Sequence, residues 1–424
     1  MSPPSILSDD LLRQLMAVGQ VDIMVGVPTL NNAATVGAVV QAAHFAFGNH
    51  FARERTVLIN SDGGSSDGTP DIVREASRVE SETVLAAHSL RTRHRISAPY
   101  HGVPGKGTAL RTLFAAADLL QARAVAILDP EITSITPDGV FALLGPVLRD
   151  GVDFVSPAYA RHPLDGPLVS QLVRPLFRAA YGRRLHEPMA ADLGCSGTFA
   201  ASCLEEAVWE SDFARYGIDL WLSCAAVAGG FRMAEAALGP RTLGPRVARP
   251  GLQELFPQVV GSLFSCLEMH EAFWAGRTGS EAVPLLGEAP AVAGPAPPVE
   301  RASLIEAFRT GVTDLGPLLE QVLSPETLEA LHALSRAEGV ITYPDRLWVA
   351  TVMEFAAAHY RGVMHRQHLL QALVPLYLGR LAAFHARAEE VGVDATERAL
   401  EALGESFEEA KPHLLGLWNK EGGR

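Results

Sequence analysis

Lysine is nearly missing from this chain. Of 35 Lys plus Arg among 424 residues, the lysines are Lys106, Lys411 and Lys420. Cysteine is scarce too, and Cys195, Cys203, Cys224 and Cys266 stand in mostly apolar segments without the paired spacing of a zinc site, so reduced thiols and a cytoplasmic protein are expected rather than a disulfide framework. Basic excess is absent: the formal net charge is −13, which argues against neutralising a nucleic-acid backbone. No signal segment and no long uncharged run stands out, so no membrane partner is expected, and Met1–Gln20 reads as a short amphipathic helix capped near Ser8-Asp9-Asp10.

What is present is a large apolar fraction, 48%, enough for a substantial core and for two domains or one large domain with an appendage. The run Val125-Ala126-Ile127-Leu128 ends at Asp129-Pro130-Glu131. Side chains alternate along a strand, so acids at i and i+2 face one side, and carboxylate oxygens suit Mg²⁺ or Mn²⁺. Asp129 and Glu131 are therefore the candidate metal ligands.

Two upstream strands share this form. Val21–Thr29 is nearly all apolar and runs into Leu30-Asn31-Asn32 before a helix-like stretch at Thr35–Phe47. Thr56–Asp62 runs into Gly63-Gly64-Ser65-Ser66-Asp67-Gly68-Thr69 before a helix at about Pro70–Ser77. Continuous apolar strands are those of a parallel sheet buried on both faces. Open sheets of this kind bind ligands at their carboxyl edge, which Asp62 and the turn N–H groups are expected to face. Lys106, flanked by Gly105 and Gly107, is a compact ammonium kept where the chain otherwise uses Arg, which fits close approach to a phosphate.

In order, Val27-Pro28-Thr29-Leu30-Asn31-Asn32, Asp62–Thr69, Pro104-Gly105-Lys106-Gly107 and Asp129-Pro130-Glu131 resemble GT-A-fold glycosyltransferases, above all glucosyl-3-phosphoglycerate and mannosylglycerate synthases. The resemblance covers roughly the first 250 residues. It implies an α/β fold with a Rossmann-like, nucleotide-binding mixed sheet. It also implies nucleotide contacts from Pro28, Thr29, Leu30, Asn32 and Asp62, a diphosphate-side role for Lys106, and a divalent cation held with Asp129. Asp153–Arg161 and Leu172–Leu176 resemble the Y-x-R and R-P-L elements of those synthases, which implies that Tyr159, Arg161 and Arg174 hold an acidic acceptor, by the bidentate fit of guanidinium to carboxylate. Tyr216-Gly217-Ile218-Asp219 resembles the element that places an acid beside the donor sugar, so Asp219 joins Lys106 as a catalytic candidate.

Looser likenesses follow. In Glu187–Gly197, Asp192 or the Gly194–Gly197 backbone is a candidate to hold sugar hydroxyls, and a glycine-rich crossover loop with no ligand is the alternative. The relatives' downstream His metal ligand has no counterpart in Ala237–Arg246, and Arg241 or Arg246 is a candidate to replace the lost positive charge near the diphosphate.

Gly287–Pro298, rich in Pro, Ala and Gly, reads as a linker, which divides the chain into a catalytic domain at 1–286, a linker at 287–299 and a helical domain at 300–424. Leu/Ala/Phe stripes place helices at 301–321, 325–337, 345–360, 363–390 and 394–409, with Pro375 kinking or splitting the longest. Tyr343–Trp348 with Val349–Tyr360, and Leu373–Arg380, faintly resemble the helical C-terminal region of mannosylglycerate synthases. His365 and His368, at i and i+3, read as solvated helix residues.

The function implied is retaining transfer of a hexose from a UDP- or GDP-linked donor to glycerate or 3-phosphoglycerate, giving a glycoside of the compatible-solute type, with homodimerisation admitted. Sugar-nucleotide synthesis is disfavoured by the lack of a Gly-x-Gly-Thr-Arg-like loop at the first strand. A non-catalytic sugar-nucleotide binder, or a transferase with another acceptor, is separated from this reading by turnover.

Overall fold

The computed structural model describes residues 6–77, the backbone of 94–99, and residues 106–211, 213, 217–244, 251–289, 292 and 294–419. Pro104, Gly105, Asp212, Tyr216 and Arg246 lie outside the described residues.

Among these residues the strands in chain order are β1 (Ile23–Thr29), β2 (Thr56–Asp62), β3 (His94–Pro99), β4 (Ala124–Ile127), β5 (Phe154–Ala160), β6 (Arg183–Arg184), β7 (Leu193–Ser196), β8 (Met233–Pro240), β9 (Glu281–Ala282) and β10 (Leu285–Leu286). Eight form one sheet in the order β10-β8-β5-β7-β4-β1-β2-β3. Every pairing in it is parallel except those of β7, which runs against both β4 and β5. The fold is thus α/β with a mixed sheet, as expected. The two-residue strands β6 and β9 form a separate parallel pair.

Central strands β1 and β2 are buried at every position, as their unbroken apolar runs require. Helices Val36–His50 and Pro137–Asp150 put Val39, Val40, Phe47, Leu143 and Leu144 against the sheet. Gly194 and Gly197 are there for packing: a Cβ on either would come within 2.0 Å of a backbone oxygen, Leu143 O or Ala122 O. That contact accounts for the glycines without a sugar. The amino-terminal helix is Asp9–Val18, capped by the Ser8 side chain as expected.

The chain divides into two compact units, but not at a single linker. Residues 1–160, 185–249 and 283–291 form the sheet unit. Residues 161–184, 250–282 and 292–424 form the helical unit. The linear division at 287–299 therefore gives way to an interleaved one: the segments 161–184 and 250–282 bury their apolar faces with the C-terminal helices, a partnership between distant stretches that local composition does not record.

The helical unit contains Arg301–Asp314, Gly316–Val322, Pro325–Arg336, Asp345–Arg361, Arg366–Val391, Val393–Glu409 and Lys411–Trp418. The longest is not split at Pro375. Gly311 in the neighbouring helix makes room for the ring, since a Cβ there would lie 2.3 Å from Pro375 Cβ. By length and composition Arg366–Val391 would also pass as a membrane span, contrary to the expectation of no such run, but 78% of its apolar window is buried inside the protein. It is the core helix of its unit. The four cysteines are free and buried.

Candidate functional site

Parallel strands β1, β2 and β4 all end at one edge, and β7, running the other way, begins there. Side chains from those ends are joined by hydrogen bonds into one network within the sheet unit.

At the end of β2, Asp62 folds back on its own turn. One carboxylate oxygen accepts from Gly64 N at 3.0 Å and Ser65 N at 2.8 Å. The other accepts from Ser65 Oγ at 2.6 Å and Thr29 Oγ1 at 2.8 Å. Gly64 has φ +93°, a backbone conformation that glycine adopts without strain. The turn N–H groups expected to face a ligand are thus partly taken by Asp62 itself. Asp67 binds Ala33 N, Thr69 N and the Thr69 hydroxyl, and these bonds outweigh its burial and hold its carboxyl below the ordinary value. Asn32 Oδ1 accepts from Leu30 N at 2.8 Å, and Asn32 N donates to Thr69 Oγ1 at 2.8 Å. Thr29, Asn32 and Asp62 therefore brace the loop. Pro28 is buried in β1, and Leu30, 52% exposed, is the member of the set that presents its side chain outward.

Thr35 Oγ1 donates to Pro130 O at 2.6 Å, which ties this loop to the carboxylates. Strand β4 stops at Ile127, so Asp129 and Glu131 lie in a turn beyond it and strand alternation does not place them. Asp129 Oδ1 instead accepts from Glu131 N at 3.0 Å, while its Oδ2 lies 3.0 Å from Arg241 Nη2. Arg241, just past β8, also covers the Tyr159 ring, with Cζ 5.6 Å from the centroid. Of the two arginines proposed to replace the missing His, it is the one among the described residues, and it sits on Asp129. Burial works against its charge, yet Asp129, Asp192 and Tyr159 raise its pKa above the ordinary value.

Asp192 is fully buried where β7 begins. It accepts from Asp129 N at 2.7 Å and from the Tyr159 hydroxyl at 2.5 Å. Burial, then the charge of Asp129, raises its carboxyl pKa, and burial with Asp192 pushes the Tyr159 phenol well up. Tyr159 is 6% exposed and its hydroxyl is committed to Asp192, so it positions this carboxylate rather than offering that hydroxyl to an acceptor.

Beside Asp192, Ala191 O accepts from Lys106 Nζ at 3.2 Å, and Nζ lies 2.7 Å from Asp219 Oδ1. Lys106 begins the helix Lys106–Leu119, and Asp219 stands in the first turn of Ile218–Ala228, where a carboxylate is favoured. Both are mostly shielded, at 23% and 13% side-chain exposure. Burial raises the Asp219 carboxyl pKa and Lys106 opposes that rise. Two residues named from unrelated motifs thus form one ion pair.

Arg161 and Arg174 belong to the helical unit. Arg161 lies 3.7 Å from Asp165, and Arg174 begins the helix Arg174–Tyr181, half-buried.

Asn60 was missed from the sequence. Its amide bridges Val27 O and Thr29 Oγ1 between β1 and β2, and its one sign was a polar residue inside an apolar strand. Sequence reasoning offers Asp192 for sugar hydroxyls and Arg241 for charge near the diphosphate; what it misses is that both contact Asp129, Asp192 through Asp129 N and Arg241 through Asp129 Oδ2.

Among the described residues no group of three or more His, Cys, Asp or Glu is placed to hold a metal. Asp129 and Glu131 still supply hard oxygen donors, and Mg²⁺ often takes only one or two carboxylates, with water and substrate phosphate completing the shell. The donor chemistry fits such an ion, provided Arg241 yields Asp129 Oδ2.

No protein-family model and no curated protein matches the chain. Among solved structures, it is similar to glucosyl-3-phosphoglycerate synthase from Mycobacterium tuberculosis in complex with Mn²⁺, UDP and glucosyl-3-phosphoglycerate, at 22% identity and a TM-score of 0.42, over 63% of this chain and 85% of that one. The same synthase with Mn²⁺, UDP-glucose and glycerol 3-phosphate gives 21%, 0.41, 63% and 86%. A crystal structure described as a mycobacterial protein gives 22%, 0.43, 61% and 78%.

Proposed function

We propose that the chain is a GT-A glycosyltransferase that moves a hexose from a nucleotide-diphospho-sugar to a small acidic acceptor such as glycerate or 3-phosphoglycerate. One observation carries this reading. At the carboxyl edge of the sheet, a lysine and an arginine are each paired to a carboxylate, Lys106 with Asp219 and Arg241 with Asp129, beside a braced Asp62 turn. Departing diphosphate needs fixed positive groups more than a nucleophile, and both cations are preorganised. A divalent ion held by Asp129 and Glu131 would act as a Lewis acid toward the diphosphate.

In the reaction, the bond from the hexose C1 to the diphosphate oxygen breaks and a bond from C1 to the acceptor oxygen forms with the same anomeric configuration. The acceptor's hydroxyl proton passes to the departing diphosphate. Lys106 Nζ has three N–H donors, and its two bonds leave one for a phosphate oxygen. Asp219 holds that ammonium in place and sets its direction. Asp192 and Tyr159 fix the turn that carries Asp129. Arg161 and Arg174 are proposed to hold the acceptor's anionic group on the motif resemblance alone.

The test is turnover by purified protein with UDP- and GDP-sugars against glycerate, 3-phosphoglycerate and glycerol, with and without Mg²⁺ or Mn²⁺. Release of nucleoside diphosphate with a new glycoside of an acidic acceptor is expected. Binding of sugar nucleotide without turnover would identify a non-catalytic binder, and equal use of glycerol would remove the acidic acceptor.

A further inference from the structure

We infer that the helical unit carries a second binding site, independent of the transferase reading, for a small organic carboxylate with an apolar body. A cavity of about 320 Å³ lies between the 340–345 segment, the second half of Arg366–Val391 and the start of Val393–Glu409. That volume is within the range of small-molecule pockets, roughly 300–1,000 Å³.

The polar wall is a built one. Arg380 is 6% exposed and held on three sides: Nε donates to Gln171 Oε1 at 2.8 Å, Nη1 to Tyr343 O at 2.8 Å, and Nη2 pairs with Asp345 at 2.6 Å. Gln171 is fully buried in the π-helical turn Val169–Val173. Such turns concentrate at functional sites. Its backbone oxygen accepts from Trp348 Nε1 and its side-chain oxygen from Arg380, but its Nε2, buried in the wall, has no hydrogen-bond partner. The amide oxygen thus has its donor, Arg380 Nε, while the amide nitrogen has no acceptor, and because Gln171 lines the cavity an acceptor oxygen bound there would meet that demand.

Charge and shape narrow the ligand. Arg380 is balanced by Asp345, while Arg387 and Glu390 stand exposed in the same lining. At the inner end the free amide N–H of Gln171 beside the Arg380 guanidinium favours a carboxylate oxygen, and Arg387 stands at the exposed mouth. Phe384 and Val391 supply an apolar surface for the rest of the molecule. Water alone is the competing occupant, since a polar cavity of this size can hold it.

The probe is hexanoate, with hexanol as its neutral counterpart, titrated calorimetrically into the full chain with thermal unfolding in parallel. Saturable hexanoate binding that raises Tm is expected, with hexanol at least about tenfold weaker. Gln171→Leu removes the unpaired donor and is expected to weaken hexanoate about tenfold. Ala399→Trp, at the half-buried rim, closes the cavity without touching Gln171 or Arg380; it is expected to abolish binding while leaving the unliganded Tm unchanged, which covers the case in which Gln171→Leu fails to fold. No saturable binding up to about 10 mM, undiminished affinity in Ala399→Trp, or equal affinity for hexanol overturns the site and leaves a water-filled cavity. Turnover is not read, so failure here and failure of the transferase reading are separate results.

Discussion

Arg241 Nη2 lies 3.0 Å from Asp129 Oδ2, so the carboxylate expected to carry a divalent ion already carries a cation from the chain itself. Ion and guanidinium must compete for that oxygen. Arg241→Ala is therefore expected to tighten Mn²⁺ binding in the absence of nucleotide, and Asp129→Ala to abolish it. Removing one partner of a mostly buried pair costs ~3–5 kcal/mol, so Arg241→Ala should also unfold at lower denaturant. Calorimetric titration with Mn²⁺ beside urea melts checks both, and unchanged Mn²⁺ affinity in Arg241→Ala would show that the arginine does not guard the site.

Lys106 and Asp219 should behave as a unit. Lys106→Ala removes a charge-assisted bond worth ~1.5–3 kcal/mol and leaves a shielded carboxylate alone, whose pKa then rises further. Transfer rate is expected to fall by one to two orders of magnitude. Asp219→Asn should also slow the reaction, by releasing the ammonium, and the double variant should be no worse than Lys106→Ala. Additive losses in a double-mutant cycle would mean that the two act separately.

Asp192 accepts two hydrogen bonds with two oxygens, from Asp129 N and from the Tyr159 hydroxyl. Asp192→Asn removes a buried charge yet keeps only one acceptor oxygen, so one donor loses its partner at a cost of ~1–3 kcal/mol. Adding Tyr159→Phe deletes the orphaned hydroxyl and should recover part of that loss. The comparison of three denaturation midpoints decides it: a double variant less stable than Asp192→Asn refutes the account.

Lys411 offers a pH test in the helical unit. The residue is 5% exposed, and its ammonium donates to Ala180 O at 3.2 Å and lies 5.6 Å from the centre of the Trp274 ring. Burial, with help from Arg277, lowers its pKa to about 8 from 10.5. A depressed folded value means that the unfolded chain binds the extra proton between these limits, so this lysine adds stability as pH rises from about 8 to 10.5 and loses it on the way down. Lys411→Met should be more stable than the parent at pH 7 and should lack this rise. Parallel Tm profiles across that window would expose the error if the variant rose equally.

For the acceptor, Arg161→Ala and Arg174→Ala are each expected to raise the acceptor KM ten- to hundredfold with donor KM unchanged, from the ~1.5–3 kcal/mol of a charge-assisted bond. Lysine at either position should rescue poorly, because a point charge lacks the bidentate fork. Parental acceptor KM in both variants would remove them from the acceptor site.

Periodicity and apolar runs were enough to place the buried strands β1 and β2, the Ser8-capped first helix and nearly all the C-terminal helices, because burial pattern and capping are local properties that adjacent residues express. The glycine flanks of Lys106, the place of Asp129 after an apolar strand and the motif likeness around Asp219 also marked these three as chemically notable. Only the tertiary structure decided that Lys106 meets Asp219 across 113 positions and that Asp129 meets Arg241 across 112. It also decided that Thr29 bonds Asp62, that Asn32 spends its polar groups on Leu30 and Thr69, and that segments 161–184 and 250–282 pack with the distant C-terminal helices. Partner choice between side chains so far apart follows from which strand ends and helix starts the sheet brings to one edge, and no window of sequence contains that distance.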